Sequence, residues 1–459
     1  MKMIKVYSAL MLLFGMLGCT KEFLDKKPNS NIVVPKSISE LQLLLDNQLV
    51  MNVNGGLPQI SDDDYHIPVY SDYLALPDMT SKNAHIWNKE IFEGETGIQD
   101  WNGLYKVVFY ANNVLQEISR NDYSNIEARN NIKGQALFFR AYANFDLVSN
   151  FANIYNAGTA KTDLGIPLRN VADIDYIQQR ASVQESYDHI TNDLNTSIPL
   201  LLPNVNSANI NRPTKTAAFA LLSRIYLYKG EYGLAEKNAD SCLKYYRKLA
   251  DYNKSSTSSI TPFGYVSDET IFYAAQVNMY GLLTSASATV RPYSINPSLL
   301  SQYEASDLRS QLYFVRNANG SVNSKRRYTA GLTPFTGLAT DEIYLIKSEC
   351  LARRNETKFS IDLLNELLKT RYKTNSYINK SARDSEEALQ IILAERRKEL
   401  VWRGIRWQDI KRLNREGKGI TLTRSLNGTV YTIAPNDLRY IFPIPPEEIN
   451  MGGIKQNQR

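Results

Sequence analysis

The chain has 459 residues, 43% hydrophobic and 22% charged, ordinary proportions for a water-facing globular protein with a sizeable core. Lys and Arg number 53 against 47 Asp and Glu, a net charge of +6 with the two signs interspersed, which excludes the one-sided basic stripe of a nucleic-acid binder. Three Cys and three His lie scattered, without the spacing of a zinc site or a disulfide framework, so no metal and no cofactor is read from the sequence.

The first element is a leader. Lys2 and Lys5 introduce an apolar run from Val6 to Leu17, too short for the roughly 20 residues that a membrane-spanning helix needs. A basic start, a short apolar middle and small residues at the end make residues 1–18 a secretory signal. Gly18 followed by Cys19 resembles the lipobox of bacterial lipoproteins, with Met16 where that pattern prefers leucine, so Cys19 is expected to carry the lipid. Two or three acyl chains such as palmitate, at roughly 0.8 kcal/mol per buried CH2, anchor a protein durably where one does not. Residues 19–36, opening "TKEFLDKKP", read as a lipidated, solvated tether.

Residues 37–459 read as a single domain built on helical hairpins. "WNGLYKVVFYANNVLQEI" (101–118) and "KGQALFFRAYANFDLVSNF" (133–151) form the first. The clearest spans Ala217–Tyr246: Phe219, Leu222 and Tyr226 fall at helical spacing, Gly230 breaks the run, and Ala235, Ala239 and Cys242 resume it. Short side chains let two helices approach closely, and this spacing resembles a tetratricopeptide repeat. A third pair covers 339–355 and 359–372, and 385–413 reads as a long helix with its continuation. Cys242 and Cys350 are expected as small buried hydrophobes. The fold class expected is mostly α: a tetratricopeptide-like helical-repeat scaffold with long loop insertions and a few short strands, one being "TIFYAAQV" at 270–277.

The insertions, near 52–100, 152–181 and 250–335, are rich in Gly, Pro, Asn, Ser and Tyr. Loops this long inside a compact domain are usually functional, and a rigid frame carrying aromatic loops is a binding architecture. Sugar rings have apolar faces and hydroxyl rims, so a site for them needs flat aromatics with polar groups at the edge. Candidate ligand-binding residues are Trp87, Tyr65, Tyr73 and Asp64 in the first insertion, and Asn278, Tyr280 and Tyr293 in the third. The rival reading for each aromatic is packing.

Several segments, in order over nearly the whole chain, resemble the SusD/RagB family of Bacteroidetes surface lipoproteins: "EFLDKKP", "WNGLYKVVFYANNV", "ALFFRAYANFDLV", "FALLSRIYLYKGEYGLA", "ERRKELVWRGIRWQDIKR", "YIFPIPPEEI" and a terminal "QNQR". The aromatic that often follows the final Gln-Asn is missing. The resemblance implies a non-catalytic, cell-surface protein of the outer membrane that binds oligosaccharide and lids a TonB-dependent, SusC-like transporter. It also implies that the 385–413 segment packs against the repeats, and its ion pairs and cation–π contacts around Trp402 and Trp407 are read as structural.

Two rivals stay open. Peptide is an alternative ligand, because repeat grooves hold peptides and some members of that family serve peptide uptake. A glycoside hydrolase is the other, with "SDDD" (61–64) supplying carboxylates that must stand roughly 5 to 9.5 Å apart; a solvated turn or a weak calcium site is the commoner use of adjacent aspartates. The transporter is expected to dock on the helical frame rather than on the aromatic loops, since stacked repeats offer an extended rigid surface.

Overall fold

A computed structural model describes Pro35 and residues 37–173, 175–286 and 289–459. The leader, Cys19 and the tether apart from Pro35 lie outside the described residues.

Ten helices of eight residues or more are present among the described residues: α1 Ile38–Leu45, α2 Gln99–Arg120, α3 Ile126–Phe151, α4 Val183–Ser197, α5 Lys215–Lys229, α6 Tyr232–Tyr245, α7 Thr340–Arg353, α8 Thr357–Leu368, α9 Ser385–Glu399 and α10 Arg406–Arg415. Local chemistry sets their starts. The Ser37 hydroxyl accepts from the Glu40 N–H while Glu40 reaches back to the Ser37 N–H, and Ser182 with Glu185 closes the same reciprocal box on α4. Asn125, Thr214 and Asp384 cap α3, α5 and α9 with a side-chain oxygen. Gly230, at φ +83°, ends α5 in the left-handed conformation that glycine adopts without a Cβ clash, and α6 begins two residues later.

The array is the expected one. Helix α2 packs on α3, α3 on α4, α5 on α6, α6 on α7, and α7 on both α8 and α9. Each hairpin thus covers its neighbour's apolar face. Ala235, Ala239 and Cys242 are buried on α6 as the spacing indicated, and Cys350 is buried on α7. On α5 the buried side is broader than a stripe: Ala217, Ala218, Leu221, Leu222 and Ile225 are interior, whereas Phe219 and Tyr226 lie half-buried at its edge. Helix α4 is absent from the sequence reading, although the Ser182-x-x-Glu185 box and the buried Val183, Tyr187, Ile190 and Leu194 at helical spacing signal it locally.

Two further departures have backbone causes. The segment expected as one helix with its continuation is broken at Leu400–Ile405, where Trp402 and Gly404 take positive φ of 61° and 68°, so α9 ends before α10 begins. The unforeseen hairpin β11 (Leu422–Leu426) and β12 (Thr429–Ile433) turns on Asn427-Gly428, both at positive φ, as a two-residue turn requires.

The insertions are not free loops. Strand β1 (Val53–Asn54) pairs parallel with β6 (Ala275–Gln276), and β2 (Tyr65–His66) pairs antiparallel with β7 (Ser294–Ile295), so the first and third insertions are joined. Strand β3 (Leu164–Pro167) pairs with β4 (Arg180–Ser182) inside the second, and β5 (Thr270–Phe272) with β10 (Leu338–Ala339) at the foot of α7. Strands β8 (Phe314–Arg316) and β9 (Val322–Ser324) form a hairpin within the third. The run 270–277 is therefore two short strands interrupted at Tyr273–Ala274.

The C-terminal motif is buried electrostatics. Arg309 meets Asp307, Glu395 and Glu399 at 2.7 to 2.9 Å, Arg371 bridges Glu269 and Glu399, Arg403 meets Asp341, and Arg412 joins Asp409 to Glu349. The cation–π partners of Arg403 are Tyr328 and Phe335, while the tryptophans stack on rings: Trp402 on Tyr293 and Trp407 on Phe442. That corrects the expectation of arginines gathered around the tryptophans; a flat indole finds an aromatic face inside a dry core.

Candidate functional site

The structure places Tyr65 and Trp87 of the first insertion and Tyr293 of the third in the interior, with Tyr65 packed on Tyr293 and Arg424 between Tyr65 and Trp87. Tyr65 is 1% exposed, Trp87 3% and Tyr293 0%. The β2–β7 pairing sets Tyr65 against Tyr293, with ring centroids 5.9 Å apart, and Arg424 lies 4.9 Å from the Tyr65 ring and 4.7 Å from that of Trp87. Every polar tip is met internally. Tyr65 Oη donates to the Ile60 carbonyl, Trp87 Nε1 to the Ser61 carbonyl, and Tyr293 Oη to the Ser285 carbonyl. Tyr280 is likewise buried, donating to Asp100 Oδ2 at 2.9 Å. As placed, none of these four rings offers a face to a sugar.

Asp64 is buried too, accepting from the Trp402 N–H at 3.2 Å. Burial pushes its carboxyl up to about 6, and burial raises Asp62 as well. Burial would also raise Asp63, but Arg406 and Arg397, at 2.6 and 2.8 Å, hold it well below the usual carboxylate range. The aspartates of "SDDD" thus tie the first insertion to the C-terminal motif and are not a solvated turn. One acidic trio, Glu269, Asp341 and Glu399, has oxygens within 4.8 Å of one another, but Arg371 and Arg403 already meet its charge.

Two predicted residues remain at the surface. Tyr73 is half-buried and stacks on the exposed Tyr70, with centroids 6.0 Å apart and planes 15° from parallel. Asn278 is exposed at the edge of the cleft described next.

That cleft, of about 610 Å³, lies where α2 begins and where β1 pairs with β6. Its polar lining is Gln48, Asn52, Gln99, Gln276, Asn278 and Thr333; its apolar lining includes Leu49, Val53, Tyr273 and Met279. Tyr273 is half-buried, packs 4.6 Å from Tyr265, and has its phenol pushed up to about 12 by burial and by that neighbour. Tyr265 Oη donates to Gln48 Oε1 at 3.1 Å, fixing one rim.

The floor carries unmet hydrogen-bonding capacity. Asn52 Nδ2 donates to the Asn211 and Tyr273 carbonyls, both at 2.8 Å, leaving Oδ1 without a partner. Gln276 is 3% exposed, and neither its Nε2 nor its Oε1 has a partner. Buried amides are normally satisfied by protein or water; these atoms are closed off from solvent, so Asn52 and Gln276 line the cleft without turning their unmet atoms into it. Gly56 lies directly behind Gln276: a Cβ there would meet the Tyr280 ring at 2.7 Å.

Of the seven predicted ligand residues, only Asn278 lines this cleft. Gln48, Asn52, Tyr265, Tyr273 and Gln276 were missed. The one sequence signal was a lone glutamine in the strand-like run 270–277.

Comparison with known proteins follows from this geometry. A family profile described as "Starch-binding associating with outer membrane" matches residues 22–227, and one described as the SusD family matches 309–459. No curated protein matches. Among solved structures, a SusD superfamily protein from Bacteroides thetaiotaomicron superposes with a TM-score of 0.74 at 22% identity, over 92% of this chain and all of that one. A putative sugar-binding protein from Bacteroides vulgatus gives 0.73 at 23%, over 93% and 99%. Surface glycan-binding protein A from Bacteroides fluxus gives 0.71 at 17%, over 92% and 99%. At these identities the structural likeness establishes the shared fold.

Proposed function

Since this chain belongs to the SusD/RagB family, we propose that it captures oligosaccharide at the cell surface, held to the outer membrane by lipid on Cys19, and passes it to a TonB-dependent, SusC-like transporter. The observation that carries the reading is a 610 Å³ cleft lined by five Asn and Gln residues, with the exposed Asn278 at its edge and the half-buried Tyr273 ring at its wall. Carboxamides over an aromatic face match the hydroxyl rim and apolar face of a sugar. Sugar-binding and glycan-binding names among proteins of the same fold support it. No helix among the described residues is long and apolar enough to cross a membrane, which agrees with attachment through lipid.

Binding rather than turnover is favoured by the lining itself. It contains no carboxylate, whereas glycoside hydrolysis needs two of them across the scissile bond. The ligand residues proposed are Asn278, Gln48, Gln99 and Tyr273, with the stacked Tyr70–Tyr73 pair, whose Tyr70 is exposed, as a second surface for a long chain. Docking is assigned to the repeat frame, whose stacked helices present a rigid face at little ordering cost.

Incubation of the purified protein with labelled glycans and labelled peptides tests the reading. Capture of glycan at unchanged chain length is expected. Peptide capture alone favours the peptide-binding alternative, and shortened sugars favour a hydrolase. Purification from its own membrane in mild detergent should bring a large barrel protein at comparable abundance; recovery of a lone lipoprotein across several detergents defeats the transporter assignment.

A further inference from the structure

We infer that Glu269 carries a proton in the folded protein up to about neutral pH, as the donor end of a buried string of hydrogen bonds that pins the third insertion to the helical frame and loosens when that proton leaves. The string runs from Glu269 Oε2 to Tyr328 Oη at 2.5 Å, on to Tyr252 Oη at 3.0 Å and Tyr313 Oη at 2.7 Å, and ends at Glu399 Oε1, 3.2 Å beyond. All five side chains are buried. Glu269 and the three tyrosines belong to the third insertion, whereas Glu399 closes α9. Arg371, in the segment after α8, spans the two ends, donating to Glu269 Oε1 at 2.7 Å and to Glu399 Oε1 at 2.8 Å.

The string lacks one hydrogen unless a carboxyl supplies it. Four oxygen–oxygen contacts of hydrogen-bonding length need four hydrogens, and the three hydroxyls hold three. Burial pushes all three phenols well above their ordinary value, so none gives its hydrogen up. Against the cost of burial, Arg371 and Arg309 hold Glu399 ionised, at 2.8 and 2.9 Å, whereas burial, Asp341 and Glu399 together raise Glu269 against the pull of Arg371. With Glu269 protonated every hydroxyl donates in one direction: Glu269 to Tyr328, Tyr328 to Tyr252, Tyr252 to Tyr313, and Tyr313 to the Glu399 carboxylate. The charges agree. Glu269, Asp341 and Glu399 have oxygens within 4.8 Å of one another, and the guanidiniums committed to them are Arg371 and Arg403, since Arg309 is shared with Asp307 and Glu395. Three carboxylates against two such cations leave one negative charge over, and a neutral Glu269 removes it.

Loss of the proton leaves two oxygens facing each other at one link in the interior, a cost that falls on the contact between insertion and frame. The charged and titratable groups that face Glu269 are Arg371, Asp341, Glu399, Tyr328, Tyr252 and Tyr246, and the Ala250 N–H donates to its Oε1 at 3.0 Å. Burial first, then those neighbouring acids, raise Glu269 from 4.5 to about 7, so between these values the folded state holds a proton that the unfolded chain has released. The stabilisation is therefore fully present below 4.5, declines as pH rises, and is lost above about 7.

Infrared difference spectroscopy and urea unfolding of the full-length protein test the inference. The parent should show the carbonyl band of a protonated carboxyl at about pH 6 that fades by about pH 8 and is missing from Glu269→Gln. Glutamine keeps a donor toward Tyr328 and an acceptor toward Arg371, so this variant should fold. Relative to it, the parent's unfolding equilibrium constant should rise by up to about tenfold per pH unit on the way to neutral pH. Tyr252→Phe, at a residue bonded to Tyr328 and Tyr313 rather than to Glu269, is the second arm. It breaks the string, the two remaining hydroxyls then suffice for the two remaining contacts, and the band at about pH 6 should fall by about half or more. Absence of the band, or equal pH slopes in parent and Glu269→Gln, overturns the assignment of the proton. A band that Tyr252→Phe leaves unchanged overturns the string as what holds it, and this arm decides alone if Glu269→Gln does not fold. Stabilisation of the parent by millimolar CaCl2 that EDTA reverses and Glu269→Gln abolishes would put a cation in the proton's place and overturn the inference likewise.

Discussion

Tyr293 lies on Trp402 with ring centroids 4.6 Å apart and planes 28° from parallel, joining the third insertion to the C-terminal motif through the interior. Trp87 and Tyr65 flank the same Arg424 guanidinium. These aromatics hold insertions to frame, so truncating one should act on stability. Trp87→Ala is expected to cost about 3–5 kcal/mol, as large aromatic truncations in a core do, measured by urea unfolding. Tyr70→Ala, at an exposed ring, should stay within about 0.5 kcal/mol. A Trp87→Ala protein of undiminished stability but lost glycan affinity would return Trp87 to the ligand site.

The buried arginines act by pairing. Arg371 donates to Glu399 at 2.8 Å and to Glu269 at 2.7 Å, with its guanidinium 4.1 Å from the Tyr252 ring. Burial opposes ionisation of both carboxyls, yet Arg371 and Arg309 hold Glu399 down at about 2, while Glu269 is raised to about 7. Arg371→Leu strips a buried pair of one partner and should destabilise by about 3–5 kcal/mol in chemical denaturation. A loss below about 1 kcal/mol would show that the carboxylates find other partners.

Lys411 should give stability an alkaline slope. Its ammonium is buried on α10 and donates to the Ser149 carbonyl at 2.6 Å, and burial lowers it from 10.5 to about 7. The folded state then binds fewer protons than the unfolded chain between those values, so stability rises with pH from about 7 to about 10, by at most about 1.4 kcal/mol per unit. The penalty is fully present below pH 7. Lys411→Met should flatten the rise in melting temperature across that window relative to the parent. Equal slopes in the two proteins would show that Lys411 stays charged throughout.

Cys19 lies outside the described residues, and its role is tested in cells. Cys19→Ala should move the protein out of the membrane fraction, because two or three acyl chains are what make such anchoring durable. Equal membrane retention of parent and variant would refute lipid attachment at that position.

The helical frame was legible because its causes are local. Gly230 between two helical runs, and the short side chains Ala235, Ala239 and Cys242, specify a close hairpin wherever it sits in the chain. The order of family-like segments from "WNGLYKVVFYANNV" to "YIFPIPPEEI" added the architecture. Less was legible where backbone geometry follows from tertiary packing: the break at Trp402–Gly404 turns a continuous helical pattern through positive φ, and no periodicity announces it.

The ligand site was the least legible part, for a physical reason. A tyrosine presents the same residue type to a sugar and to a core, and only its neighbours decide which. Tyr65, Trp87 and Tyr293 are candidates from two insertions, and the fold buries all three: Tyr65 packs against Tyr293, and Arg424 lies over the rings of Tyr65 and Trp87. Gln276 shows the converse. By itself the sequence determined the repeat hairpins and the small-residue faces on which they stack, because those depend on residues a few positions apart. Tertiary structure alone decided that an ordinary-looking glutamine would lie on a cleft floor with its amide unmet. That depends on strands more than two hundred residues apart pairing in one register, which no local pattern encodes.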